Sequence, residues 1–135
     1  MITARMNVAK ERNSLRGALA DSAIQGRCVQ LFGSGTAAIY ATLLALGCKS
    51  SYVGLQSTVC PSVVVAVLSS GNIPWFVDIE KDSFGIDPVI LKRVIDKLAC
   101  VIAIHSYGIP CKITEIKDVC SNHSVPLIED CAQTL

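Results

Sequence analysis

The sequence predicts an α/β fold in which a parallel sheet carries helices on both faces. Short apolar runs typical of buried strands alternate with helical patterns along the chain, and glycines and prolines separate them. Polar residues follow directly on several of the apolar runs, as they do where the strands of such a sheet end at a site. With 135 residues, the chain has room for one hydrophobic core.

The first half of the chain is expected to hold two strand–helix units. The apolar run Cys28–Phe32 predicts a buried strand, and Ala37–Leu46 predicts a helix that Gly47 ends. Val53–Leu55 predicts a second strand. A helix that Pro61 opens and Gly71 closes follows, because proline favours the first helical turn and glycine favours the position after the last one.

The second half repeats the pattern. Trp75–Ile79 predicts a third strand, and the next helix is expected over Asp87–Leu98, because Asp is a good N-cap and proline follows it. Cys100–Ile104 predicts a fourth strand, Ile113–Asn122 a helix, and Pro126–Ile128 a fifth strand. This order of units is typical of a parallel sheet with crossover helices.

Composition excludes several classes of function. Twelve basic and 11 acidic residues give a net charge of +1 without a basic cluster, so nucleic acid is not an expected partner. The mean hydropathy of +0.49 is high, but the longest weakly polar run, Gly35–Cys48, is shorter than the ~18 residues of a membrane span. Residues 1–27 are too charged for a signal peptide. We therefore expect a cytoplasmic protein without a membrane span.

The chain has seven cysteines, with no Cys-x-x-Cys pair and no histidine pair at ligand spacing. This pattern argues against a disulfide framework and against a zinc site. We expect most of the thiols to be reduced and buried as small core residues, with Cys60 as the exception.

Five polar residues lie within two positions of the carboxyl ends of expected strands: Ser34, Ser57, Asp78, His105 and Asp130. Each alone is typical of a turn or a helix cap, but together they favour a site at the carboxyl ends of the strands. Asp78 is expected to be structural. For His105, contact with a ligand and a structural position at the strand end are equally compatible with the sequence.

The segment Gly33–Ala38 joins an expected strand to an expected helix. Its glycines let the main chain approach a ligand, and the helix N-terminus attracts an anion such as phosphate. The segment also matches G-x-G-x-x-A, the dinucleotide-binding pattern. That pattern needs an acidic residue about 20 positions later, and no carboxylate lies between Asp21 and Asp78. A dinucleotide-binding oxidoreductase fragment is therefore the weaker interpretation.

From Cys28 onward the chain resembles the amino-terminal part of the DegT/DnrJ/EryC1/StrS aminotransferases, which are pyridoxal-phosphate (PLP) enzymes of fold type I that aminate nucleotide-linked keto-sugars. Five motifs in the same order carry the resemblance: Gly35-Thr36-Ala37-Ala38, Pro74-Trp75-Phe76-Val77-Asp78-Ile79, Ile86-Asp87-Pro88, His105-Ser106-Tyr107-Gly108 and Glu129-Asp130-Cys131-Ala132-Gln133. It implies the N-terminal half of the large domain of a fold type I enzyme, with residues 1–27 as a helical lead-in and residues 28–135 as a partial PLP-binding domain.

The resemblance also implies roles for individual residues. The main-chain amides of Gly35, Thr36 and Ala37 would bind the cofactor phosphate. Asp130 would pair with the protonated pyridine nitrogen, and Gln133 would bond the phenolic oxygen of the ring. A buried carboxylate needs a cationic partner, so without a cofactor we expect the Asp130 carboxylate to be unpaired.

Two departures from the family pattern affect the mechanism. Cys60 stands where the family usually has an aromatic residue stacked on the cofactor ring. The family's Schiff-base lysine lies beyond the segment that corresponds to residues 129–133, and this chain has ended by then. The lysines of the chain are expected at the surface, namely Lys10, Lys49, Lys81, Lys92, Lys97, Lys112 and Lys117. Covalent cofactor attachment is therefore not expected.

Three hypotheses about function follow. The first is a truncated sugar aminotransferase that is inactive alone and works as a homodimer or with a complementing C-terminal segment, on a nucleotide-linked sugar and an amino donor. The second is a non-catalytic module that binds a phosphate ligand or another subunit. The third is the oxidoreductase fragment described above.

Overall fold

A computed structural model describes residues 29–134, and the chain divides into two units between Ser34 and Gly35. In the first unit, residues 29–34 contain no helix or strand, so the expected strand over Cys28–Phe32 is wrong for the residues described. An apolar run becomes a strand only where its main-chain groups pair with a neighbouring strand, and Phe32 is 44% exposed. Residue 28 and the expected lead-in, residues 1–27, lie outside the described residues.

Strands and helices alternate in the second unit, as the sequence predicts. The strands are β1 (Tyr52–Gln56), β2 (Ile73–Val77), β3 (Leu98–Ile104) and β4 (Leu127–Asp130). The helices are α1 (Gly35–Ala45), α2 (Pro61–Ser69), α3 (Pro88–Val94) and α4 (Ile113–Asn122), and short 3-10 turns span Ile95–Lys97 and Ser106–Gly108.

The four strands form one parallel sheet in the order β2-β1-β3-β4. The chain therefore moves outward in one direction from β1 to β2, and in the opposite direction from β2 through β3 to β4. Because parallel crossovers are right-handed, connections that run in opposite directions place their helices on opposite faces of the sheet. The expectation of a parallel sheet with helices on both faces is confirmed.

Two buried clusters show how the faces are covered. Along β3, Cys100, Ile102 and Ile104 belong to a cluster with side chains of α1 and α2. Val101 and Ala103 belong to the other cluster, with side chains of α3 and α4. Side chains of a strand alternate between the faces of a sheet, so the continuous apolar run of β3 is the signature of a strand buried on both sides.

Element boundaries differ from the sequence expectation around β2 and at the end of α3, which stops at Val94 where the sequence predicts Leu98, because β3 already begins at Leu98. Strand β2 begins at Ile73, two residues before the expected start, and includes Pro74. Proline is tolerated there because β2 is at the edge of the described sheet. Asp87 caps α3 as expected, since its Oδ1 accepts hydrogen bonds from the main-chain N–H groups of Val89 at 2.7 Å and Ile90 at 3.4 Å.

The loop between β2 and α3, residues 78–87, is held by main-chain hydrogen bonds within it and by bonds to the Glu80 carboxylate. The Glu80 carboxylate accepts hydrogen bonds from the Ser83 hydroxyl at 2.9 Å and from the N–H of Asp82 at 3.2 Å. These bonds, led by that of Ser83, lower the pKa of Glu80 to about 2. Phe84 has a left-handed backbone, with φ of 57°. Gly85 lies so close to Cys111 that a Cβ on it would be 2.4 Å from the Cys111 Cβ.

Four of the six described cysteines, Cys48, Cys100, Cys111 and Cys120, are buried as expected. Burial raises the pKa of Cys100 to about 12 and that of Cys120 to about 11, so these thiols stay protonated. Cys60 and Cys131 are exposed, and for Cys131 this contradicts the expected core position. None of the helices described is long and apolar enough to cross a membrane.

Candidate cofactor site

A cavity of about 510 Å³ opens at the carboxyl ends of the strands, on the face of the sheet covered by α1 and α2. The first turns of α1 and α2 and the segments that follow β1, β3 and β4 all contribute to it. Its lining residues are Gly35, Thr36, Ile39, Thr58, Val59, Cys60, Ser62, Val63, Ile104, Ser106, Tyr107, Asp130, Ala132 and Gln133.

The sheet topology explains why the cavity lies there. The chain leaves β1 and β3 in opposite directions, so a crevice forms beyond the carboxyl ends of these adjacent strands. Thr58, two residues after β1, and Ser106, two residues after β3, both line the cavity. Ligands of open α/β sheets bind at such a switch point.

One wall of the cavity attracts anions. The N-termini of both α1 and α2 reach it, and neither helix has an acidic residue in its first turn. The first main-chain N–H groups of a helix and the positive end of its dipole favour a phosphate. A Cβ placed on Gly35 would meet nothing within 4 Å, so a ligand has open access to the main chain at the start of α1. Gly35 and Thr36 are the part of the expected anion site, Gly33–Ala38, that lines the cavity, and phosphate binding there stays a prediction.

Asp130 gives the cavity a negative charge. It is the last residue of β4, and its half-buried side chain lines the cavity. Its Oδ1 accepts a hydrogen bond from the Ala132 N–H at 3.0 Å. The expectation of an unpaired carboxylate is therefore wrong for this oxygen, because the turn after β4 supplies a local donor. A ligand with an anionic and a cationic end would match both the helix N-termini and Asp130.

Gln133 lies in the same turn and is exposed to the cavity. Its Oε1 accepts a hydrogen bond from the main-chain N–H of Tyr107 at 2.7 Å. The carbonyl end of the side-chain amide is thus engaged by protein, and the amide nitrogen is the end that a ligand can use as a donor.

Cys60 is the N-cap of α2, and its exposed thiol also lines the cavity. The Ser62 hydroxyl donates a hydrogen bond to Sγ at 3.1 Å. This bond and one from the Ser62 main chain lower the pKa of Cys60, while desolvation and the charge of Asp130 oppose the shift. A thiol with a lowered pKa forms the reactive thiolate at lower pH than an ordinary cysteine.

We therefore expect Cys60 to be alkylated at lower pH than Cys131, the other exposed cysteine in the described range. Desolvation and the nearby charges of Glu129 and Asp130 raise the pKa of Cys131. Pulse labelling with iodoacetamide across neutral and mildly alkaline pH, followed by peptide mapping, measures both profiles. Ser62→Ala should move the Cys60 profile to higher pH and leave that of Cys131 in place. Labelling of Cys131 at lower pH than Cys60 would contradict the assignment.

His105 has a structural position. Strand alternation continues past Ile104, so the ring points away from the cavity, and it is buried with 4% exposure. Its Nδ1 accepts a hydrogen bond from the Cys111 N–H at 3.0 Å, and its Nε2 lies 2.8 Å from the Glu129 carboxylate. Because Nδ1 accepts from a main-chain donor, the proton is on Nε2, which donates it to Glu129.

The same tautomer argues against a metal ion at His105, Glu129 and Cys131, although their ligand atoms lie within 4.8 Å of one another. A metal on Nε2 would require the proton on Nδ1, which instead faces the N–H of Cys111. The donor set therefore does not fit a metal as it is arranged.

Five of the residues singled out from the sequence line this cavity: Gly35, Thr36, Cys60, Asp130 and Gln133. Ala37 is in the first turn of α1 but does not line the cavity. Ser57 and Asp78 do not line it either. Asp78 instead accepts a hydrogen bond through its main-chain carbonyl from Asp87 at 3.0 Å, which is a structural role.

Sequence reasoning missed four polar lining residues: Thr58, Ser62, Ser106 and Tyr107. A signal was available for three of them. Ser62 follows the proline that opens α2, and Thr58 and Ser106 follow β1 and β3 by two residues, so all three lie at positions that face a site in this kind of sheet.

Comparisons with known proteins identify relatives of this chain. The model of the DegT/DnrJ/EryC1/StrS aminotransferase family matches residues 6–135. Protein MosB of Rhizobium meliloti is 38% identical over 112 residues, which are 82% of this chain and 22% of MosB. GDP-perosamine synthase of Vibrio cholerae is 33% identical over 104 residues, which are 76% of this chain and 28% of the synthase.

Solved structures give the same result. NtdA from Bacillus subtilis, crystallised with bound cofactor PMP, superimposes with a TM-score of 0.72 at 32% identity, over 76% of this chain and 24% of NtdA. The chain thus spans about a quarter of the length of these curated relatives, 22% of MosB and 28% of the synthase. The match over nearly all of its residues shows that the chain belongs to the DegT/DnrJ/EryC1/StrS aminotransferase family.

Proposed function

We propose that residues 28–135 form the phosphate- and ring-binding part of a PLP-dependent aminotransferase that acts on nucleotide-linked keto-sugars. One observation carries the proposal: two helix N-termini and the carboxylate of Asp130 line a single cavity at the switch point of the sheet. PLP has a phosphate at one end and a pyridine nitrogen at the other, so its charges complement those of the cavity. The volume of about 510 Å³ is within the range of small-molecule sites.

The residues fit the cofactor in distinct roles. Main-chain amides at the start of α1, at Gly35 and Thr36 with Ala37 beside them, would hold the phosphate. Asp130 would keep the pyridine nitrogen protonated, because a carboxylate stabilises a nearby cation. When bound, the cofactor supplies an electron sink for chemistry at an amino-bearing carbon.

The ring itself would contact Cys60 and Gln133. Gln133 would donate a hydrogen bond from its amide nitrogen to the phenolic oxygen, since its carbonyl oxygen is already bonded to Tyr107. Cys60 would lie against the ring with less contact area than an aromatic side chain provides.

The described residues supply no lysine to the cavity lining. Lys112 instead lies 3.7 Å from Glu80, and Lys97 lies over the ring of Trp75 at 5.4 Å. We therefore propose that these residues hold the cofactor without a covalent bond. Transamination would need a lysine from a further segment, either a complementing C-terminal segment or a second copy in a homodimer.

The substrate part of the proposal rests on relatives. GDP-perosamine synthase is named for a nucleotide-linked amino sugar, and it shares a third of its aligned residues with this chain, at 33% identity. A nucleotide-linked keto-sugar and an amino donor are therefore the proposed substrates of the assembled enzyme. A cytoplasmic location is part of the same proposal. A non-catalytic phosphate-binding module is the second candidate, favoured by a cavity wall that attracts anions and by a described lining that contains no lysine.

The experiment that tests the proposal is a calorimetric titration of the full chain with PLP, pyridoxal and inorganic phosphate, followed by borohydride reduction and peptide mapping. We expect PLP to bind reversibly and more tightly than either of its parts, with no stoichiometric pyridoxyl-lysine. A stoichiometric adduct on one lysine would overturn the non-covalent assignment. Equal affinity for PLP and inorganic phosphate would favour the phosphate-binding module, and absence of all binding would overturn both.

A further inference from the structure

Gln56, the last residue of β1, is wholly buried and connects three segments around the cavity. Its Nε2 donates to the hydroxyl of Ser106 at 2.8 Å and to the main-chain carbonyl of Phe84 at 3.2 Å. Its Oε1 accepts from the main-chain N–H of Ile104 at 3.1 Å. A third donor contact reaches the Thr58 hydroxyl at 3.3 Å. The amide thus bonds to the ends of β1 and β3 and to the β2–α3 loop.

The bond to Ser106 matters because Ser106 begins the short turn Ser106–Gly108. Tyr107, in the middle of this turn, has a left-handed backbone, with φ of 58° and ψ of 25°. That conformation is uncommon for a residue other than glycine, so surrounding contacts must hold it. Both the Ser106 hydroxyl and the Gln56 amide are buried, which makes their 2.8 Å bond the inner anchor of the turn.

The Ser106–Gly108 turn also orients the side chain of Gln133. With its backbone left-handed, Tyr107 directs its N–H to the Oε1 of Gln133 at 2.7 Å. An amide whose oxygen is bonded in this way presents its nitrogen on the other side. Within the described residues, the nitrogen of Gln133 has no protein acceptor, and Gln133 lines the cavity.

We propose that Gln56 is a positioning residue that sets the hydrogen-bonding polarity of the cavity: through Ser106 and Tyr107 it fixes Gln133 as a donor toward the ligand. The identity of the acceptor, the phenolic oxygen of the cofactor ring, rests on the proposed function. Gln56 itself does not line the cavity. Its loss should therefore change the discrimination between ligands that have and lack this oxygen, which a general loss of stability would not do.

The test compares Gln56→Met with Asn72→Leu. Asn72 is a matched control because it is also a buried amide that donates to a serine hydroxyl, that of Ser70 at 2.9 Å. It lies before β2, at the opposite ends of the strands. Each full-length variant is titrated with pyridoxamine 5′-phosphate and with its 3-deoxy analogue, which lacks the phenolic oxygen. Pyridoxamine phosphate carries no aldehyde, so lysines do not compete.

The wild-type chain should prefer the parent ligand about tenfold, the value of one hydrogen bond to a charged oxygen. Gln56→Met should reduce the preference to about one, as should Gln133→Ala, and the double variant should lose nothing further. Asn72→Leu should keep the wild-type preference, although it weakens stability. An unchanged preference in folded Gln56→Met would overturn the proposal.

A second readout needs no ligand. Hydrogen exchange at the Tyr107 amide should be slow in the wild-type chain and in Asn72→Leu, and fast in Gln56→Met. If Gln56→Met does not fold, Ser106→Ala removes the same 2.8 Å bond and takes its place in both assays. If the wild-type chain binds neither ligand, the proposed function fails and exchange at Tyr107 alone decides the positioning role. Slow exchange in the Gln56→Met or Ser106→Ala variant would overturn that role.

Discussion

Asp130→Asn is expected to weaken the binding of pyridoxamine 5′-phosphate by about 10- to 100-fold. Hydrogen bonds to charged groups contribute about 1.5–3 kcal/mol, and 1.4 kcal/mol is a factor of ten. Asparagine keeps the size of the side chain and an oxygen that can accept from the Ala132 N–H, so the turn after β4 should survive. What is removed is the negative charge that would pair with the protonated ring nitrogen. Calorimetric titration of the full chain measures the change.

The neighbouring residue supplies a matched control. Glu129→Gln removes the same charge one residue earlier in β4, from a side chain that bonds to His105 and does not line the cavity. Its affinity for pyridoxamine 5′-phosphate should remain within about twofold of the wild type, since only a screened, longer-range charge effect is lost. Equal losses in both variants would mean that general electrostatic attraction, and not a bond to Asp130, holds the ligand. Wild-type affinity in Asp130→Asn would place the ring nitrogen elsewhere.

Gly85→Ala is expected to lower the free energy of unfolding by about 3 kcal/mol, at the upper end of the usual cost of overpacking. The added Cβ would be 2.4 Å from the Cys111 Cβ and 3.4 Å from the Cys111 Cα. Main-chain and Cβ atoms cannot turn aside as the end of a flexible side chain can. The loop must therefore move, and with it the Phe84 carbonyl that accepts from Gln56 and Thr58. Urea unfolding monitored by Trp75 fluorescence measures the loss.

Gly35→Ala is the control for the Gly85 variant. A Cβ at Gly35 would meet nothing within 4 Å, and the residue is helical, so stability should change by less than about 1 kcal/mol. Combining Gly85→Ala with Cys111→Gly removes the clashing Cβ of residue 111. The double variant should therefore lose less free energy of unfolding than the two single variants lose in total. If the losses of unfolding free energy simply add, contact with Cys111 is not the cause of the destabilisation by Gly85→Ala.

The sequence predicts most of the fold because the strong local signals agree with the tertiary structure. Pro61 and Asp87 open helices where such residues usually do, and α4 matches its expected bounds of Ile113–Asn122. The apolar runs at β1 and β3 are too short for helices and too continuous for half-exposed strands. Together they require a parallel sheet, which also fixes the edge at which a site must lie.

The sequence fails where tertiary pairing decides. Cys28–Phe32 has the composition of a strand, but strand formation depends on a neighbour that no local pattern reveals. His105 and Asp130 both follow apolar runs, yet only Asp130 lines the cavity. Side-chain alternation along β3 places His105 on the face opposite the cavity, but the sequence does not show on which face the cavity lies. Gln56 directly follows the expected strand Val53–Leu55, but nothing in the sequence predicts its burial, because a polar residue at a strand end is usually exposed.

The adjacent carboxylates at the end of β4 have a consequence for how the gene can vary. Glu129 bonds to His105 under one face of the sheet, and Asp130 faces the cavity on the other. Since successive side chains alternate, a single-codon insertion or deletion inside β4 would turn each of the two side chains to the opposite face of the sheet. Neither His105 nor the cavity would then have its proper carboxylate. The same event in the turn between α4 and β4, residues 123–126, would be absorbed before the strand begins. Length changes among homologues should therefore cluster in that turn and be absent from the four residues of the strand.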